Sequence, residues 1–256
     1  MNSYWSHLAP PWVVLCAFVL FSNSVLCQST SPAERERVIT EIQDLIDQDH
    51  LDTARQKVYD AQKTMTDSGL DNLLGVIQAK GGDYAGAEGS FAVAIRRAPT
   101  FAPPHLNLAR LYQENAKRYP EGKAKALALY ERLLRFDPAN SEANYQAAVL
   151  LMEQRRYQKS EAYLSHLPRD SQDISQALAV RCADLAGLGD RIRADQCATR
   201  LRSRPDLSEA DAQTIAPTLA SAKREDLIVG LEEALAKRGT LSGQSLQTLG
   251  LAYEKT

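Results

Sequence analysis

The sequence predicts an all-α fold made of antiparallel helix pairs, and two observations carry that expectation. The first is composition: of 256 residues, 44% are hydrophobic but only 7% aromatic, with alanine and leucine at most apolar positions. Ala and Leu lose little side-chain freedom in a helix, whereas β-branched residues lose more. The second is order. A short Leu-Gly or Leu-Ala motif, at Leu74-Gly75, Leu108-Ala109 and Leu249-Gly250, returns along the chain. After the first two, a turn leads into a second stretch with helical spacing.

The elements follow in chain order. Residues 1–27 contain no Lys, Arg, Asp or Glu, and WVVLCAFVLF at 12–21 is an apolar run of signal-peptide length. Ten such residues fall short of the roughly 20 that span a bilayer as a helix. The reading is a signal peptide over 1–27, cut after Cys27, and hence an exported, periplasmic or extracellular chain. An uncleaved membrane anchor is the alternative. Residues 28–34 read as a linker.

Residues 35–67 form a degenerate first unit, with Val38, Ile42, Leu45, Leu51, Ala54, Val58 and Ala61 at helical spacing. The clearest unit begins at residue 68. It carries Leu74-Gly75, the turn Gly82-Asp83-Tyr84, then Ala87, Phe91, Ala94 and Pro99. Gly75 and Ala87 let two helices approach closely, Phe91 fills the space toward the next pair, and Ala94 is placed on the outer, convex side. Residues 102–140 repeat the pattern through Leu108-Ala109-x-x-Tyr112, Ala126, Tyr130, Leu133 and Pro138, with five extra residues in the turn NAKRYPEGK. Residues 141–174 repeat it again through Asn144, Ala147-Ala148, Leu151, Tyr157, Ser160 and Leu164.

Two degenerate units occupy 175–242. The first keeps Leu178, Cys182, Leu185, Gly189-Asp190, Ala194, Ala198 and Leu201; the second keeps Ile215, Leu219, Leu227, Leu231 and Leu235. Pro217 falls inside a helix of the second, where it removes a hydrogen bond, so irregular geometry is expected there. Residues 243–256 hold a solitary first-helix pattern, Leu246-x-x-Leu249-Gly250-x-x-Tyr253. It reads either as a C-terminal cap or as the start of a repeat in a longer protein.

This spacing resembles the tetratricopeptide repeat, a 34-residue helix-turn-helix unit. Three adjacent units over 68–174 agree in phase, absorbing only the five-residue insertion, and the resemblance extends over nearly all of the chain after residue 34. It implies a right-handed α-solenoid of antiparallel helix pairs. It also implies a concave face, lined by the first helix of each unit, that binds an extended peptide or a partner helix. Mapped by phase, that face takes Asn72, Val76 and Lys80, then Asn107, Arg110 and Glu114, then Tyr145, Val149 and Met152. Some members of the family hold a chaperone's C-terminal carboxylate with a Lys/Asn/Arg clamp. Only Asn107 matches that clamp. Asn72 and Val76 replace its first Lys and Asn, while Glu142 and Gln146 replace its later Lys and Arg.

Other chemistries find little support. The formal net charge is −2 with Lys and Arg scattered, which offers no footprint for a phosphate backbone, so nucleic acid is not an expected partner. His50, His105 and His166 fall in different units, and there is no HExxH, no Cys pair at zinc spacing, no P-loop and no GxSxG. No catalytic residue, metal site, cofactor or small-molecule substrate is indicated. Beyond the leader, the cysteines are Cys182 and Cys197, each seven residues from the Gly189-Asp190 turn on opposite sides. That symmetry makes a disulfide between the two helices possible, against the alternative of two buried thiols. The functional reading is a non-enzymatic scaffold for a protein or peptide partner. The alternative is a truncated interaction module of a longer protein whose effector domain lies beyond residue 256.

Overall fold

The computed structural model describes residues 31–115 and 117–256. The leader expected over 1–27, with the start of the linker, lies outside them. Fourteen helices and no strand are found among the described residues. They pair in order: α1 (Pro32–Asp47) with α2 (Leu51–Gln62), α3 (Ser68–Lys80) with α4 (Tyr84–Arg97), and α5 (Ala102–Glu114) with α6 (Gly122–Leu134). Next come α7 (Ser141–Glu153) with α8 (Tyr157–Ser165), and a single turn α9 (Arg169–Gln172). Then α10 (Ser175–Gly187) pairs with α11 (Arg191–Ser203), and α12 (Glu209–Ser221) with α13 (Glu225–Ala236). Helix α14 (Gly243–Tyr253) follows alone.

Each pair packs on the next, giving an all-α solenoid of helix pairs. The first helices form one layer, in which α1 meets α3, α3 meets α5, α7 meets α10, α10 meets α12 and α12 meets α14. Apolar burial passes along the array in three clusters: one under α1 to α3, one from α4 to α7, and one from α7 to α14. A helix pair this thin exposes a face on either side, so its neighbours must bury both.

Close packing within a pair rests on small residues. A Cβ on Gly75 would come within 2.5 Å of the Phe91 ring, so the aromatic of α4 seats directly on the backbone of α3. Phe91 therefore packs back onto its own partner helix as well as into the cluster shared with α5. Ala94 is fully buried and does not face outward, because α4 turns it toward the neighbouring helices.

The turns inside pairs share one device. A residue with left-handed φ closes each short turn: Asp49 (59°), Gly82 (82°), Arg155 (59°), Gly189 (77°) and Lys223 (56°). Those positions are 33, 73, 34 and 34 residues apart, and 73 is two periods plus the five-residue insertion. The turn between α5 and α6, where the insertion lies, has no such residue among those described. Asp83 and Asp190 then cap the second helices through Gly86 N (2.9 Å) and Arg193 N (3.1 Å).

Connections between pairs also repeat. His105 on α5 and Asn144 on α7 each reach back six residues to a proline carbonyl, Pro99 O at 3.0 Å and Pro138 O at 2.8 Å. Both prolines end a unit.

Two expectations from sequence need correction. Pro217 does not break its helix: α12 runs from Glu209 to Ser221 with Pro217 inside. The ring lies on the exposed side, where water can reach the carbonyl that loses its partner. The sequence also gave no hint of α9, an extra turn wedged between the α7–α8 pair and the α10–α11 pair.

Helix α14 is covered on one side only. It packs on α12 and α13, while Leu246, Leu251 and Tyr253 remain 55%, 53% and 51% exposed. Nothing lies within 4 Å of a Cβ built on Gly250, whereas its counterpart Gly75 meets Phe91. Among the described residues, no helix is long and apolar enough to cross a membrane.

The left-handed turns yield a test by exchange. Lys223→Gly should raise stability by ~0.5–1 kcal/mol, because glycine relieves a backbone conformation that costs an L-residue about 1–2 kcal/mol. Gly82→Ala should lower it by a similar amount. Urea denaturation followed by circular dichroism measures both, and equal effects of the same sign would contradict the turn assignment.

Candidate peptide-binding groove

The first-helix layer carries three clefts. The best match to the sequence-derived site is a cavity of about 460 Å³ between α3, α4 and α5. Val76, Lys80, Asn107, Arg110 and Glu114 all line it, over an apolar floor that includes Ala79, Phe91 and Leu111. Helical spacing explains the grouping: Val76 and Lys80 are one turn apart on α3, as Asn107, Arg110 and Glu114 are on α5. Tyr145 lies in a second cavity of about 320 Å³, with Glu142, Gln146, Leu167 and Ile174. A third, of about 290 Å³, lies between α12, α13 and α14, and no expected site residue touches it.

Several of the expected binding groups bond to each other. Asn107 Nδ2 donates to Asn72 Oδ1 at 2.9 Å, and Arg110 Nη1 donates to Asn107 Oδ1 at 3.0 Å. Arg110 then reaches Glu142 Oε1 through Nε at 2.9 Å and Nη2 at 2.6 Å. Beside this runs a second line, from Tyr130 Oη to Gln113 Oε1 (2.6 Å) and from Gln113 Nε2 to Gln146 Oε1 (3.3 Å). The two lines tie α3, α5 and α7 together. Asn72 is itself buried, so its amide belongs to this ladder and not to the open cleft.

Two further expected residues lie deeper than the groove reading places them. Met152 is fully buried and is not a groove residue: α7 packs on α8 and α10, and Met152 belongs to the core cluster that also holds Leu164 and Leu178. Val149 is half-buried and leans on the same cluster. Burial raises the Tyr145 phenol to about 12, so it remains a neutral hydroxyl at any physiological pH.

The sequence missed Ile174 and Ser171, because their cavity depends on the unforeseen α9. It also missed Tyr84, Lys117 and Arg118, which line a cavity of about 490 Å³ against the widened α5–α6 turn.

Among the described residues, no group of three or more His, Cys, Asp or Glu is placed to hold a metal ion. His105 is buried against the Pro99 carbonyl, and burial lowers its pKa.

Comparison with known proteins agrees with this architecture. A family model described as "Tetratricopeptide repeat" matches residues 123–181, from α6 into α10. Over those residues the chain matches the tetratricopeptide repeat, and the helix pairs on either side continue the same fold. A tetratricopeptide repeat protein from Parabacteroides merdae superposes with a TM-score of 0.67 at 18% identity, covering 85% of this chain and 84% of that one. The structure of the assembly chaperone of RpL4, Acl4, superposes with a TM-score of 0.59 at 13% identity, covering 86% of this chain and 95% of that one. Identities this low speak for the fold alone. A search among curated proteins finds no match.

One buried group of the array stands apart from the groove. Asp184 on α10 is 1% exposed, and neither carboxyl oxygen has a hydrogen-bond partner. Burial pushes its pKa up to about 8, and the Ser160 hydroxyl beside it offsets only part of that shift. A raised folded-state pKa means that the unfolded chain releases this proton first. The stability contributed by Asp184 is therefore present near pH 4 and is lost as pH rises toward 8. Asp184→Asn should flatten that decline, by up to ~1.4 kcal/mol per pH unit in the same window. Melting temperatures of both proteins from pH 4 to 9 measure it, and parallel curves would show that Asp184 ionises normally.

Proposed function

We propose that the chain is a non-enzymatic scaffold that holds an extended protein or peptide segment along its first-helix groove. One observation carries this reading: five of the nine expected groove residues meet in a single open cleft with an apolar floor. Such a floor takes side chains, and polar groups at its rim orient a backbone. Tetratricopeptide folds typically serve protein interaction. The structural relative described as an assembly chaperone of RpL4 is consistent with a protein partner here.

The test is crosslinking capture by the folded protein. Val76→Arg fills the first cleft and Tyr145→Ala removes the phenol from the second, while the Asn72–Asn107–Arg110–Glu142 ladder is left intact, so helicity should hold and capture should fall. Capture that survives this pair but is lost on substitution of exposed second-helix residues would place the interface elsewhere.

The proposal includes export, to the cell envelope or beyond it. It rests on the apolar, uncharged segment at 12–21 and on the cysteine pair. Cys182 and Cys197 are joined as a disulfide across α10 and α11, with Cα atoms 5.4 Å apart. Disulfides persist in oxidising compartments. The bond closes a separation of 15 residues. By the chain-entropy model such a loop is worth about 3 kcal/mol. Mass spectrometry of the protein isolated without reductant should find the two cysteines linked and a chain beginning after residue 27. Two freely alkylated thiols together with an intact N-terminus would overturn the export reading.

A second reading is an interaction module within a longer protein. It is favoured by the open face of α14, where Gly250 lacks the aromatic cover that Gly75 receives from Phe91.

A further inference from the structure

The cleft between α3 and α5 does not stop at the groove. It shares Tyr84, Glu114 and Asn115 with the cavity lined by Lys117 and Arg118, so the two adjoin and are taken together as one recess. The second part exists because of the five-residue insertion. Elsewhere a single left-handed residue closes the turn within a pair, as at Gly82 or Arg155. Here the chain takes a longer path and places two basic side chains at the end of the groove.

The charges around this recess do not balance. Arg110 is neutralised by Glu142, and Lys123 nearby is paired with Glu153 at 2.8 Å. Lys125 lies 5.1 Å from the Tyr112 ring, whose hydroxyl donates to Glu88 at 2.7 Å, so these two opposite charges share one aromatic. Glu121 stands at the start of α6, outside the lining. That leaves Lys80, Lys117 and Arg118, all exposed, with no carboxylate within ion-pair distance among the described residues. Lys80 Nζ reaches only the Ile46 carbonyl, at 3.3 Å, and the Arg118 guanidinium lies 5.9 Å from the Tyr119 ring. Against the three stands one lining carboxylate, Glu114. The other two first-helix clefts lack this excess: the second has Glu142 and no cation, and the third has Lys255 against Glu225. A cavity lined by Arg202, Lys237, Arg238 and Glu233 has a similar excess but lies apart from the groove, between α11 and α13.

Between the cations lie Val76, Ala79, Phe91 and Leu111, with the Tyr84 ring at the junction of the two parts. We propose that this recess selects an acidic protein segment, one that seats an apolar side chain on the floor and sets carboxylates against Lys80, Lys117 and Arg118. Exposed pairs of this kind contribute little affinity each, but they choose among partners and speed their encounter. The inference rests on the groove reading and adds the chemistry of its occupant.

The test is an unbiased array of synthetic peptides, each about twelve residues long and so able to extend ~40 Å. It is probed with the full chain and with a Lys117→Glu, Arg118→Glu variant. Both positions are exposed, and circular dichroism confirms that the variant folds. The peptides retained by the full chain should be enriched in Asp and Glu around a Leu, Ile, Met or Phe. The variant should bind them about fivefold or more weakly, as should the full chain when salt rises from about 0.05 to about 0.5 M. Retained peptides with no acidic excess, or acidic ones bound equally by the variant, overturn this inference. If those peptides are still lost on Val76→Arg, the groove reading stands without it. If no retained peptide depends on Val76 or Tyr145, both fall.

Discussion

The architecture depends on one constraint: a pair of short helices cannot bury its own apolar surface. Each pair here is only about two dozen helical residues, and its hydrophobic positions face both the partner helix and the following pair. At about 25 cal/mol per Å² of apolar area removed from water, stability accrues only when successive pairs stack. The three buried clusters that follow one another from Ile42 to Ala252 are the result. It also explains why the departures from repeat geometry sit in the connections, between α5 and α6 and at α9, and not within the paired helices. An extra residue in a turn costs mainly loop entropy, which grows slowly with length, whereas one inside a helix would rotate the whole apolar face away from its neighbour.

The same constraint decides what the sequence could reveal. Helix pairing was legible because Leu-Gly and Ala-Phe spacing records which side chains must meet, and Gly75 against Phe91 is that record made physical. The groove was only partly legible. Periodicity assigns a residue to a helix face, which was enough for Val76, Lys80 and Glu114. It does not say how the neighbouring helix covers that face. Met152 shares the face of Tyr145 but lies two turns further along α7, where α8 and α10 close over it. Asn72, Asn107 and Arg110 were singled out as polar groups able to hold a ligand, yet what they hold is each other and Glu142, across three units. Sequence spacing of about 35 residues between such partners is visible in the chain, but only as one of many polar coincidences.

Pro217 and Asp184 show the opposite failure, in which a local rule is overridden by its setting. A proline should interrupt a helix, and a carboxylate should avoid a core. Pro217 is tolerated because its ring faces water and the rest of α12 is clamped between α10, α13 and α14. Asp184 is tolerated because a carboxyl pushed up to about 8 enters the core as a neutral acid. Neither accommodation is readable without knowing which face each side chain occupies.

The polar ladder bears on how the groove works. A binding surface of long polar side chains would lose much rotamer freedom on meeting a ligand, about 0.5–1.5 kcal/mol for each one immobilised. Along α3, α5 and α7 that ordering is already present in the free protein, because Asn107 and Arg110 are held by Asn72 and Glu142. The ladder is therefore a fixed rim, and in the proposed scaffold recognition falls to the groups it does not engage. Those are the apolar floor and the unpaired cations of the insertion, and both lie at one end of the groove. A repeat array gains specificity where it breaks its own period. On the proposed reading, the uniform part is a stiff, preorganised track, and the irregular turn is where one segment would be told from another.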